Sequence, residues 1–166
     1  MKKFELISEC VTNVFGKKLF RIKALVSFGD VSAGELGGFV EKEENLSNNG
    51  NAWVAGNARV AGDARVSGDA LVSGNAWVSG DAQVAGDADF SVVTGFGRCF
   101  RATTFFRCKD KILRVQCGCF YGDLAKFREI VKKTHGDSKY AKEYLAIADL
   151  MELHFSDEEE NQEADK

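Results

Sequence analysis

Proline is absent from the 166 residues, and histidine and tryptophan occur only twice each. The missing proline is consistent with strands and helices throughout and by itself decides nothing. No apolar stretch approaches the length of a membrane span, so no membrane partner is expected. No basic block is present, which argues against a nucleic-acid polymer as partner, and a net charge of −3 is too small for a mimic of DNA. The opening MKKFELISECV holds two lysines but no uninterrupted apolar core, so a signal peptide is not expected. Five cysteines, an odd number, without a secretion signal point to reduced thiols in the cytoplasm. Cys117 and Cys119 form C-G-C rather than C-x-x-C. With Leu113 and Val115 they alternate along one strand face, which reads as core packing rather than a metal site.

What the chain has in abundance is glycine at a fixed interval. GNAWVAGNARVAGDARVSGDALVSGNAWVSGDAQVAGDADF runs from Gly50 to Phe90 and repeats Gly-[Asn/Asp]-Ala-x-Val-[Ala/Ser] seven times. The bulky positions are Val54, Val60, Val66, Val72, Val78, Val84 and Phe90, each two residues after an alanine. Residues two apart in a strand share a face, so Ala and Val point one way and the variable residue between them points the other. Gly followed by Asn or Asp then turns the chain. A helix is excluded, because glycines at this density would cost it about 1 kcal/mol each and the period is not 3.6. Short strands and tight turns at a fixed period describe a solenoid.

These hexads resemble the hexapeptide-repeat proteins, whose chains wind as a left-handed parallel β-helix with three hexads per coil. LFRIKALVSFGDVSAGELGGFVEKEENLS also resembles the segment opening such helices in phage and prophage proteins described as polymer-forming or as transferases. CGCFYGDLAKFREIVKKTHGDSKYAKEYLAIADL looks like a module recurring in phage-encoded proteins, with no function implied. Val40 and Leu46 extend the pattern backward, with two extra residues near Asn48-Asn49 shifting the frame. The expected fold class is therefore mainly β. It comprises a short left-handed parallel β-helix, an N-terminal β cap, and a C-terminal β-hairpin with two α-helices. The expected divisions are 1–36 for the cap, 37–91 for the β-helix, 92–155 for the hairpin and helical pair, and 156–166 for an acidic disordered tail.

Outside the repeat, a turn is expected near Asn13 to Lys18, and a hairpin turning at Lys109 to Lys111. Asp123 begins a first helix that stops at Gly136, and Asp137 or Ser138 caps a second. The second helix is apolar around more than half its girth, so burial on two sides is expected, within the chain or between subunits. So short a stack calls for oligomerisation, and the resemblance implies a trimer or a multiple of three.

Only the variable position of each hexad is left to carry function. It holds Trp53, Arg59, Arg65, Leu71, Trp77, Gln83 and Asp89. Three hexads per coil would stack Trp53 with Leu71 and Asp89, Arg59 with Trp77, and Arg65 with Gln83. The Trp53/Leu71 face reads as an interface or as packing for the C-terminal helices. Arg59 and Trp77 read either as a stiffening cation–π pair or as a pocket in which Arg meets phosphate and Trp stacks on a base. Enzymes of the resembled class transfer acyl groups with a histidine base, yet the repeat holds none. His135 and His154 sit where helix ends are expected.

The functional expectation is a non-catalytic, phage-encoded oligomeric protein in the cytoplasm of a bacterial host. It would capture a small nucleotide-like anion or a host protein and so antagonise host defence. Arg59, Arg65, Trp77 and Trp53 are the ligand-binding candidates, with no cofactor and no metal. An acyl- or acetyltransferase and a structural docking scaffold are the alternatives.

Overall fold

The computed structural model describes residues 2–13, 15–86, 89–97 and 101–156. The tail 157–166 lies outside the described residues. The chain opens with β1 (Phe4–Thr12) and β2 (Lys18–Ala24), an antiparallel pair, and β2 continues antiparallel into β3 (Leu36–Val40). The turn between β1 and β2 is tied by Asn13, whose Oδ1 accepts from the backbone N–H of Phe15 at 2.9 Å and Lys17 at 3.0 Å.

The repeat then supplies six strands of two residues each: β4 (Trp53–Val54), β5 (Arg59–Val60), β6 (Arg65–Val66), β7 (Leu71–Val72), β8 (Trp77–Val78) and β9 (Gln83–Val84). Each pairs in parallel with the strand three hexads on, Trp53 beside Leu71, Arg59 beside Trp77 and Arg65 beside Gln83. The two extra residues near Asn48-Asn49 are absorbed as a wider step, because Val40 pairs with Val60 and Leu46 bridges Val66. The valines of all six strands are 0 % exposed, and with the alanines they form one apolar interior joined by Phe4, Ile22 and Phe106. Burying each such valine contributes about 1.5–3 kcal/mol. Gly68 shows why the turns need glycine: its φ is 62°, and a Cβ there would run into the Ala85 carbonyl.

The expected single left-handed parallel β-helix is corrected by this arrangement. Thirteen strands fall into four separate sheets, and no closed or solenoid sheet forms among the described residues. The largest sheet, ordered β1-β2-β3-β5-β8, is mixed, and the parallel pairs β4-β7 and β6-β9 stand alone. The physical reason is strand length. A positive-φ glycine opens each of the six hexads from Gly50 to Gly80, so two-residue strands cannot merge sideways, while the longer strands at both ends pair antiparallel.

The fourth sheet is antiparallel, with β10 (Phe90–Val93), β11 (Thr103–Arg107), β12 (Leu113–Cys117) and β13 (Phe120–Asp123) in that order. β11 and β12 turn at Lys109 to Lys111, where Lys111 N–H donates to the Cys108 carbonyl at 2.8 Å. β11 is buried on both faces: Phe106 joins the repeat interior and Phe105 joins a second core formed with the helices. The strand alternation expected through Cys119 stops at Cys117, because Gly118 (φ 58°) turns the chain and leaves Cys119 exposed.

Helix α1 (Leu124–His135) is capped by Asp123, which accepts from the Lys126 N–H at 2.8 Å. It ends at Gly136, and Ser138 caps α2 (Lys139–His154). Phe127 and Val131 of α1 meet Tyr144, Ile147 and Met151 of α2 in the second core. Within one chain α2 is buried on one side only, and Leu150 and Leu153 are 56 % and 71 % exposed. None of the described helices is long and apolar enough to cross a membrane.

Candidate functional site

Each ladder of the repeat presents a different outer face, and the four candidate side chains meet different fates on them. Trp53 is 2 % exposed. The N-terminal segment folds across it, with Phe28 edge-on at 5.4 Å. Its burial removes Trp53 from any accessible site, which corrects its expected place there. The cover is the N-terminal segment and not the C-terminal helices, and Leu71 beside it remains 46 % exposed.

Arg65 lies beside Gln83 in a hollow of about 610 Å³ shared with Glu43, Glu44 and Asn48. Two carboxylates make that hollow mixed in charge, although Lys2 pairs with Glu43 at 2.7 Å. Arg65 is therefore on a different face from Arg59, and the two do not converge on one ligand.

Arg59 and Trp77 do come together. Both line a cleft of about 580 Å³ with Asn57, Asn75, Arg101, Ala102 and Gly118. β5 and β8 place the first two as neighbours across one ladder, about 5 Å apart at the backbone. Arg101 arrives from the chain just before β11, and its guanidinium lies over the Gly118 turn, where a Cβ would collide with its Nη1. Among the described residues the lining holds two guanidinium groups, two amides and no carboxylate. Among the described residues, Arg59 has no ion-pair partner and makes no cation–π contact with Trp77. Those contacts are Lys3 over Phe28, Arg21 over Phe39 and Arg107 over Phe155. The expected stiffening pair is thereby replaced: Trp77 packs on Phe15 instead, with ring centroids 6.0 Å apart at 52°. The Trp77 backbone N–H is held by Thr104 Oγ1 at 2.9 Å, which ties the ring's position to the C-terminal sheet.

Sequence reasoning missed Arg101, Asn57 and Asn75. Arg101 carries no local signal, since only the fold brings it to the repeat. The asparagines do carry one. The turn residue is Asn at positions 57 and 75, on the Arg59/Trp77 ladder, and Asp at 63 and 81, on the Arg65/Gln83 ladder. The choice between amide and acid keeps negative charge off the first ladder alone.

Neither histidine lines this cleft. His135 stacks on Tyr144 at 5.7 Å and His154 meets Phe155 edge-on at 4.9 Å, both in the last turn of their helices. Among the described residues no group of three or more His, Cys, Asp and Glu is arranged to hold a metal ion. No protein-family model matches the chain, and no curated protein matches it.

Proposed function

We propose that this chain is a binding protein that holds a small nucleotide-like anion in the Arg59–Trp77–Arg101 cleft without transforming it. One observation carries the reading: a cleft that sets two guanidinium groups beside an indole, with no carboxylate among its described lining residues. Guanidinium recognises phosphate in a planar, two-pronged fashion. An indole offers a face to any base, and stacking of this kind contributes about 1–3 kcal/mol. Asn57 and Asn75 supply amide donors and acceptors at the rim. Among its described lining residues there is no carboxylate or imidazole, and the reading is accordingly one of binding without turnover. The reading extends to a homo-oligomer in a bacterial cytoplasm, where a phage-derived chain would withdraw a signalling nucleotide from its host. The exposed Leu150 and Leu153 of α2 support association between copies.

The test is calorimetry of the full chain against mono-, di- and cyclic nucleotides, followed by heat denaturation and recovery of the ligand. The expected result is saturable binding with intact ligand released. Arg59→Ala and Arg101→Ala each weaken it about tenfold to a hundredfold, in line with a charged hydrogen bond. Asn75→Asp, which sets a carboxylate beside Arg59, weakens it as well. Absence of binding at about 1 mM nucleotide, or unchanged affinity in Arg59→Ala and Trp77→Ala, overturns the proposal.

A further inference from the structure

Trp77 also lines a second cleft, of about 520 Å³, whose other aromatic walls are Phe15 from the β1–β2 turn and Tyr121 from β13. The volume is that of a typical small-molecule pocket, and such pockets are apolar with a few placed polar groups. Here the polar groups are fixed before any ligand arrives. Gln116, 1 % exposed, has its Oε1 accepting from Ser79 Oγ at 2.7 Å and its Nε2 donating to the Gly118 carbonyl at 2.8 Å. That leaves one N–H and one lone pair of the amide unspent. The hydrogen bonds to Asn13 Oδ1 hold the turn that presents Phe15 and Lys17, and Phe15 stays 55 % exposed. Tyr121 is stacked on Phe106 at 6.2 Å, and burial pushes its phenol up to about 12, so it remains a neutral hydroxyl at ordinary pH.

The charges differ from those of the Arg59 cleft. Lys17 and Glu41 both line this one, on adjoining ends of β2 and β3, and among the described residues neither side chain has an ion-pair partner. One cation and one anion beside three aromatic faces complement a ligand carrying both signs and a ring. We infer that this cleft binds a small zwitterion with an aromatic ring, of the chemistry of an aromatic amino acid. The ring lies against Phe15, Trp77 and Tyr121, the ammonium toward Glu41 and the carboxylate toward Lys17. A ring cation–π contribution adds to the hold on the ammonium. The inference stands apart from the nucleotide reading, since the clefts share only Trp77.

The experiment titrates the full chain with four probes: L-tryptophan, tryptamine, indole-3-propionate and indole. L-Tryptophan is expected to bind tightest, with each singly charged probe about five- to tenfold weaker and indole weakest. Glu41→Gln removes the preference for L-tryptophan over indole-3-propionate, and Lys17→Met removes its preference over tryptamine. Phe15→Ala weakens all four. These side chains sit at the surface of the cleft, and circular dichroism checks that the variants fold. Arg59→Ala leaves L-tryptophan affinity unchanged, so failure here and failure of nucleotide binding are read separately. Binding of indole as tight as L-tryptophan overturns the inference, as does wild-type affinity in Glu41→Gln and Phe15→Ala, or no binding of any probe at about 1 mM.

Discussion

Asn45 is the polar side chain on which the edge of the repeat depends, and replacing it tests how that edge is closed. Along the neighbouring ladder a backbone N–H fills the corresponding place: Phe39 N–H donates to the Ala58 carbonyl at 2.9 Å. At residue 45 the backbone N–H is instead drawn into a tight turn, donating to the Lys42 carbonyl at 3.1 Å. The side chain takes over. Its Nδ2 donates to Ala64 O at 2.9 Å and Gly62 O at 3.1 Å, while Oδ1 accepts from Lys42 N–H at 2.8 Å. Asn45 is 0 % exposed, so in Asn45→Leu the Ala64 carbonyl is left buried without a donor. That one orphan costs about 1–3 kcal/mol, and the two partly buried bonds add about 0.5–1.5 kcal/mol each, so the expected loss is about 2–6 kcal/mol. For a chain of this size the melting temperature falls by about 2–4 °C per kcal/mol. Urea unfolding followed by tryptophan fluorescence measures it directly. A loss below about 0.5 kcal/mol at unchanged m refutes the reasoning, because the carbonyls would then find water as readily as the amide.

Lys3 closes another part of the same edge, with its Nζ donating to Ala52 O at 2.7 Å and lying 4.5 Å from the Phe28 ring centroid. Burial holds its ammonium below the usual lysine range, with no carboxylate to offset it. Between that lowered value and about 10.4 the unfolded chain binds a proton the native chain does not, so stability rises with pH across this window. The stability difference between wild type and Lys3→Met, followed by urea midpoints toward pH ~10.4, should rise with pH, and a flat or falling difference contradicts the assignment. Cys108 is 3 % exposed and burial pushes its thiol up, whereas Cys10 and Cys119 are exposed. Since the thiolate is the nucleophile, iodoacetamide labelling with peptide mapping should reach Cys10 and Cys119 first and Cys108 only on unfolding. Equal rates at Cys108 and Cys119 would show that the Cys108 region opens in the native state.

What was legible in the sequence was whatever the local chain decides. The Ala-x-Val spacing settles which side chains turn inward, and the caps at Asp123 and Ser138 are set within three residues of the helix they begin. The adjacency of Arg59 and Trp77 follows from counting hexads, because each ladder step within the repeat spans three hexads. The sheet class was not legible, since the period describes the two-residue strands and is silent about β1, β2 and the four strands after the repeat. Trp53 was misjudged for the same reason. An outward position becomes interior only when Phe28 arrives from a segment with no repeat of its own. The greasy circumference of α2 invited burial on both sides, but only the stripe through Tyr144, Ile147 and Met151 finds a partner within one chain.

Identical building steps therefore end in chemically distinct faces, and two separate influences divide them. The first is nonlocal: the N-terminal segment buries the Trp53 face, while Arg101 and Gly118 wall in the Arg59 face from the other end of the chain. The second is local and costs the fold nothing. Both Asn and Asp suit the turn after glycine, and at positions 57 and 75 the chain has the neutral amide. A carboxylate at either position would sit within the cleft that holds Arg59, offsetting the positive charge available to an anion. The one face where both turns carry amides is also the face where arginine and tryptophan adjoin. That coincidence of amide turns with two arginines in one cleft is the arrangement on which the proposed anion binding rests.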